Sequence, residues 1–128
     1  MKRHFIEDGT ILLEDGVIRA VDRGSAEITD PEITVIDAGG LYVAPGFIEL
    51  HTHGAGGADF MDGSPESILQ AARAHMEHGA TSLVPTTLTS TMEDLFSTID
   101  NFKIAKEQIK NGPELLGLHL EGPYFSMA

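Results

Sequence analysis

The chain has 128 residues, of which 41% are hydrophobic and 22% are charged, a composition typical of folded globular proteins and unlike that of disordered chains. Twenty acidic residues against eight basic ones give a net charge of −12, which repels phosphate backbones, so we expect no nucleic acid as a partner. No apolar run approaches the roughly 20 residues that cross a bilayer, so no membrane partner is expected either. Because the chain has no cysteine and begins without a signal-peptide pattern, we expect a cytoplasmic protein.

Residues 1–44 have the pattern of short β-strands separated by acidic, glycine-bearing turns. Asp15-Gly16 is a strong hairpin signal between two apolar runs. Residues 33–37 form another β-type run. Strands this short need more partners than this segment supplies, so we predict part of a small all-β unit whose remaining strands lie elsewhere in the protein.

Residues 45–128 have a different pattern, in which strands alternate with helices. Strands are predicted at 47–51, 80–88 and 115–121, and helices from Pro65 to Gly79 and from Met92 to Asn111. This order is typical of a parallel sheet with crossover helices. Three strands and two helices are fewer than the eight pairs that close a barrel, so we predict an incomplete α/β unit and interpret the chain as a fragment.

His51-Thr52-His53 lies at the carboxyl end of the first of these strands. Because side chains alternate along a strand, the two histidines point to the same side with backbones roughly 7 Å apart, and their imidazoles can converge on one ion. Neutral imidazole is a preferred ligand of zinc and similar metals. The alternative is a pair of solvated polar residues at a strand end.

Glu121 ends the third predicted strand. The carboxyl ends of parallel strands meet at one edge of the sheet, so this carboxylate should open onto the same face as His51 and His53. Two histidines and a carboxylate with an open position for water are usual for catalytic zinc. The alternative is a solvated glutamate in a turn.

Several other polar residues are weaker candidates. His119 is expected to be a packed histidine or a residue that supports a ligand. The remaining ones are interpreted as helix-end histidines that suit the helix dipole (His75, His78), as turn residues (Asp59, Asp62), and as strand residues that could touch a substrate (Thr86, Thr87).

Two sets of motifs resemble a known family. The run PGFIELHTHG at 45–54 resembles the barrel-entry motif of the amidohydrolase superfamily, which usually has aspartate at the position of Glu49. The runs GATS at 79–82, PTT at 85–87 and above all LHLEGPY at 118–124 resemble the N-acetylglucosamine-6-phosphate deacetylase branch of that superfamily. The resemblance of motifs extends over about two thirds of the chain.

The fold class that this resemblance implies is α/β. Residues 45–128 would supply the first three strands and two helices of a (β/α)₈, TIM-like metallo-hydrolase barrel, which is incomplete here. Residues 1–44 would be part of a small β-sandwich domain built from both chain ends. Such proteins are expected to be cytoplasmic homodimers, whereas the fragment should associate through its open sheet edges.

The resemblance also implies a site and a reaction. Glu121 would be a metal ligand, and His51 and His53 would hold the additional metal of two-metal members, with one or two divalent ions, expected to be zinc, per subunit. The substrate would be a phosphorylated amino sugar whose acetamide is hydrolysed to acetate and free amine. The other ligands, the catalytic aspartate and the phosphate-binding residues would lie beyond Ala128, so no catalytic residue is assigned and the chain alone is expected to be inactive.

Two alternatives remain open from the sequence. The elements at 45–54 are shared across the superfamily, so a dihydroorotase-like or hydantoinase-like enzyme is one. The Leu-Glu-Gly-Pro run at 120–123 argues against it. The other is a non-catalytic barrel protein that has lost its chemistry.

Overall fold

The computed structural model describes residues 5–126, and the chain divides into two compact units, Met1–Ala44 and Pro45–Ala128. The first unit contains an antiparallel hairpin of β1 (Gly9–Glu14) and β2 (Val17–Arg23). Asp15 and Gly16 connect the strands with positive φ angles of 51° and 74°, the conformation that two-residue hairpin turns require. The predicted hairpin is therefore confirmed.

The strand expected at residues 33–37 is absent from the structure, so that prediction was wrong. Val35 and Ile36 are 67% and 86% exposed, and local turns shape the segment, since the carboxylate of Asp37 accepts a hydrogen bond from the N–H of Gly39 at 2.8 Å. Within the described part of this unit, only β1 and β2 pair with each other. A β-type sequence forms no strand without a neighbour to take its backbone hydrogen bonds.

The second unit is an α/β assembly around a parallel sheet. Its elements in chain order are β3 (Phe47–Thr52), β4 (Gly54–Ala55), β5 (Ala58–Asp59), α1 (Pro65–Glu77), β6 (Ala80–Thr87), α2 (Met92–Gln108), β7 (Glu114–Leu115) and β8 (His119–Leu120). Strand β6 is central, with β3 on one side and β7 and β8 on the other, all parallel to it. Along the chain, α1 thus lies between β3 and β6, and α2 lies between β6 and the two short strands β7 and β8.

The third predicted strand is broken into β7 and β8, which corrects the prediction of one strand at 115–121. Leu83 pairs with Leu115, but Thr86 pairs with His119. The segment that pairs with β6 therefore contains one more residue between these two points than β6 does. An extra residue on one strand interrupts the ladder. Gly117 lies in the interruption.

Helix boundaries follow the capping residues. The Ser64 hydroxyl accepts a hydrogen bond from the N–H of Ser67 at 3.2 Å, and Pro65 opens α1. Helix α1 ends at Glu77, and Gly79 follows two residues later with a positive φ of 94°. Helix α2 ends at Gln108, a little before the predicted stop. Along residues 5–126 we found no helix with both the length and the apolar character needed to span a bilayer.

The core of the second unit joins both helices to the central strand. Its buried residues are Phe60, Ile68, Leu69, Ala71, Ala72, Leu83, Phe102, Ala105 and Leu115. Small alanines on α1 and α2 let the backbones approach closely, while Leu83 and Leu115 come from paired positions of β6 and β7. This packing holds the strands of the sheet in place, and polar residues lie at the carboxyl ends of those strands.

Candidate metal centre

The structure brings His51, His53 and Glu121 together at the carboxyl edge of the sheet. Both strands that carry them lie directly beside β6, His51 and His53 at the end of β3 and Glu121 immediately after β8. The Nε2 atoms of His51 and His53 lie 2.9 Å and 3.2 Å from the same carboxylate oxygen, Oε2 of Glu121. Strand alternation predicted that the two histidines face the same side, and the common edge of parallel strands predicted that Glu121 lies beside them.

The donor atoms have a spacing that fits a shared ion. One nitrogen or oxygen from each residue lies within 4.8 Å of the other two. Donors on one tetrahedral zinc, each at about 2.0–2.2 Å, are separated by roughly 3.4 Å, close to the observed contacts. Two neutral imidazoles and one carboxylate also form a common donor set for a divalent metal with open positions.

A backbone contact fixes the orientation of the His53 ring. Its Nδ1 lies 3.2 Å from the carbonyl oxygen of Thr86, and only a protonated Nδ1 can donate to that oxygen. In the neutral ring the lone pair is then on Nε2, the atom that faces Glu121. A carbonyl behind a histidine ligand is a common way to set the tautomer that a metal requires.

Thr86 lies behind the site and is fully buried, at 0% exposure. Its hydroxyl accepts a hydrogen bond from the N–H of Thr52 at 3.2 Å and lies 3.4 Å from Nδ1 of His119. Thr87 is also buried, and its carbonyl accepts the N–H of Glu121. Both threonines therefore connect strands behind the three donors, and their contact with a substrate stays a prediction.

His119 packs against the site without joining the donor group. Its ring lies edge-on to that of His51 with the centroids 4.6 Å apart. Among the described residues the group with converging donor atoms comprises His51, His53 and Glu121. His119 therefore fits the predicted supporting position.

Three of the other candidates have local roles. The carboxylates of Asp59 and Asp62 accept hydrogen bonds from the N–H groups of Met61 and Asp59, as turn residues do. His78 donates to the carbonyl of Ala74 within its own helix end.

His75 differs from its sequence interpretation as a helix-end residue. Its Nε2 lies 3.1 Å from the hydroxyl of Thr52, the residue between the two candidate ligands. The sequence held one signal for this position, because His75 follows the buried Ala72 by three residues and so lies near the apolar stripe of α1.

Comparison with known proteins finds one matching family. The amidohydrolase family model matches residues 34–96, a segment that includes both histidines of the site. This match agrees with the resemblance to the amidohydrolase superfamily seen in the motifs of the chain.

Named relatives fall in one group of amino-sugar deacetylases. The chain is 35% identical to N-acetylglucosamine-6-phosphate deacetylase of Bacillus subtilis over 94% of its own length and 31% of the relative's. It is 29% identical to N-acetylgalactosamine-6-phosphate deacetylase of Escherichia coli O157:H7, over 95% and 30%. The crystal structure of N-acetylglucosamine-6-phosphate deacetylase from Pasteurella multocida superposes with a TM-score of 0.75 at 29% identity, over 95% and 31%. The chain thus spans about a third of the length of these relatives.

Proposed function

We propose that this chain provides the first part of a metal-dependent deacetylase that converts N-acetylglucosamine 6-phosphate to glucosamine 6-phosphate and acetate. One observation carries the proposal: Glu121, from the run that most resembles this branch, contacts both histidines of the barrel-entry motif. Two motifs 70 residues apart in sequence therefore form one donor group. The named relatives that act on amino-sugar phosphates support the substrate class.

The residues of this chain would hold and orient a divalent ion. His53 presents Nε2 because its Nδ1 is occupied by the Thr86 carbonyl, and Glu121 supplies the negative charge between the two imidazoles. An ion held there would polarise the amide carbonyl of the substrate and lower the pKa of water. The proton transfer to the leaving amine belongs to residues outside this chain.

The finer features remain predictions. We propose zinc as the metal, with one or two ions per subunit, and a cytoplasmic homodimer as the working form. We also propose that residues 45–128 form the first three strands and two helices of a (β/α)₈ barrel and that residues 1–44 belong to a small β-sandwich. The strand order β3, β6, then β7 and β8, with a helix between successive strands, supports the barrel.

The second candidate substrate is N-acetylgalactosamine 6-phosphate. The Escherichia coli relative carries that name and matches 95% of this chain. The two sugars differ at one hydroxyl, so the same metal chemistry serves both. A hydantoinase-like enzyme or a non-catalytic barrel would keep the sheet and lose acetate release.

Acetate release tests the proposed reaction. The assay uses a chimera in which residues 1–128 replace the aligned segment of the Bacillus subtilis relative, with each of the two sugar phosphates as substrate. We expect activity that falls by more than about 100-fold in Glu121→Gln, because even the residues behind a metal ligand are worth about 10- to 100-fold. Glu77→Gln, which removes an exposed helical carboxylate, is the matched control.

Three results would contradict this proposal in different ways. A chimera that binds zinc but releases acetate from neither sugar would favour another amidohydrolase reaction. A folded chimera without zinc would favour the non-catalytic barrel. Faster release from the galactosamine substrate would favour the second candidate.

A further inference from the structure

Thr52 points away from the metal centre and is fastened from two sides. It lies between His51 and His53, and strand alternation turns it to the opposite face. Its N–H donates to the hydroxyl of Thr86 at 3.2 Å, and its own hydroxyl lies 3.1 Å from Nε2 of His75. The residue between the two candidate ligands is therefore bonded to both β6 and α1.

His75 is itself held by the core. Its ring stacks on that of Phe60 at an interplanar angle of 15° with the centroids 6.4 Å apart, and Phe60 is 1% exposed. The N–H of Phe60 also donates to the carbonyl of His53 at 2.9 Å. Contacts thus run from His53 to Phe60, from Phe60 to His75, and from His75 back to Thr52.

The hydrogen-bonding pattern sets the tautomer of His75. The Thr52 hydroxyl lies 3.4 Å from the carbonyl of Gly54 and donates to it. The hydroxyl oxygen then accepts a hydrogen bond from the Nε2–H of His75, which requires the ring to carry a proton on Nε2. A donor fixed in this way keeps the Thr52 side chain in one rotamer and keeps the strand end from twisting.

We propose that His75 and Thr52 are a positioning pair, which aligns His51 and His53 for metal binding through the backbone of the strand end. The pair touches neither the ion nor a substrate, and the inference rests on the proposed metal site. This series of contacts ends at Phe60, a buried residue of the core. The core therefore supports the strand end that carries the two histidines. Rigid support of this kind is what a metal site needs to keep its donors in a productive arrangement.

The test measures zinc affinity of the 128-residue chain by competition with a chromophoric chelator, together with the visible spectrum of the Co²⁺ form. Thr52→Val keeps the shape of the threonine side chain, and His75→Phe keeps a ring that can stack on Phe60. Each variant removes the hydrogen bond between residues 52 and 75. Each should weaken zinc binding about 10-fold, the lower end of what residues behind a ligand are worth, and should alter the Co²⁺ spectrum. Thr52→Ser, which retains the hydroxyl, should bind as the parent does.

Two further variants separate positioning from general stability. His78→Phe changes a histidine at the same helix end, whose Nδ1 bonds to the carbonyl of Ala74 in α1, and it should leave zinc affinity unchanged. The double variant Thr52→Val/His75→Phe should bind no more weakly than Thr52→Val alone, because the bond that His75→Phe removes is already lost in Thr52→Val. If Thr52→Val loses its helical circular dichroism, the Thr52→Ser and His75→Phe pair decides the question.

The outcomes distinguish this inference from the proposed function. Parental affinity in both Thr52→Val and His75→Phe, or losses that add in the double variant, would overturn the positioning pair while leaving the metal site intact. A parent chain that binds no zinc would overturn the metal site, and the positioning pair with it.

Discussion

Glu121 is the residue on which the site depends, because one of its oxygens faces both imidazoles. Its backbone is constrained on either side: the N–H of Glu121 bonds to the carbonyl of Thr87, and Gly122 follows with φ of 95°. Residues that have a side chain rarely adopt that backbone angle, and a Cβ at Gly122 would collide with Thr89. Gly122 therefore allows the backbone to turn away from the sheet directly after Glu121.

Gly122→Ala should lower both stability and metal affinity. A residue other than glycine at this φ costs about 1–3 kcal/mol, and relief of the collision with Thr89 would displace the neighbouring Glu121. Urea unfolding followed by circular dichroism measures the first effect, and zinc titration the second. Gly117→Ala is the control, since a Cβ there meets nothing within 4 Å. Equal stability and affinity in the two variants would contradict this account.

The side chains of the site could be predicted from the sequence only where a strand rule applied. His51, His53 and Glu121 follow from alternation and from the common edge of parallel strands. The bond between His75 and Thr52 joins a helix to a strand 23 residues away, and no local periodicity reports how α1 rotates against β3. Thr86 was predicted in the right strand, but no strand rule reports its bond to the N–H of Thr52 on the neighbouring strand.

At the scale of elements, local signals predicted boundaries and failed on pairing. Ser64 and Pro65 gave the start of α1, and Asp15-Gly16 gave the first hairpin, because a cap or a turn is complete within a few residues. The run at 33–37 has β-type residues but no described partner strand. The break between β7 and β8 arises from a shift in register against β6, and register depends on residues distant in sequence.

At the scale of the whole molecule, the sheet has open edges and exposed apolar residues. Strand β3 pairs only with β6 among residues 5–126, and Phe47, Ile48 and Leu50 are 73%, 61% and 62% exposed. An edge with free backbone groups and apolar side chains promotes pairing with another chain. The net charge of −12 opposes association, most strongly at low salt.

We expect the 128-residue chain to self-associate as concentration and salt rise, measured as the weight-average mass in sedimentation equilibrium. Ile48→Lys should lower that mass, because a charge on an edge strand discourages pairing. Phe96→Lys, which places the same charge on the exposed surface of α2, should leave it unchanged. A monomer at every concentration would contradict association through β3.

Zinc binding by the 128-residue chain, measured by equilibrium dialysis with elemental analysis, tests the metal centre most directly. The parent should bind zinc, and Glu121→Gln should weaken binding by more than about 100-fold, because a neutral amide replaces the carboxylate that faces both histidines. Glu77→Gln should bind as the parent does. Zinc binding that is absent from the folded parent, or unchanged in Glu121→Gln, would contradict a metal centre formed by His51, His53 and Glu121.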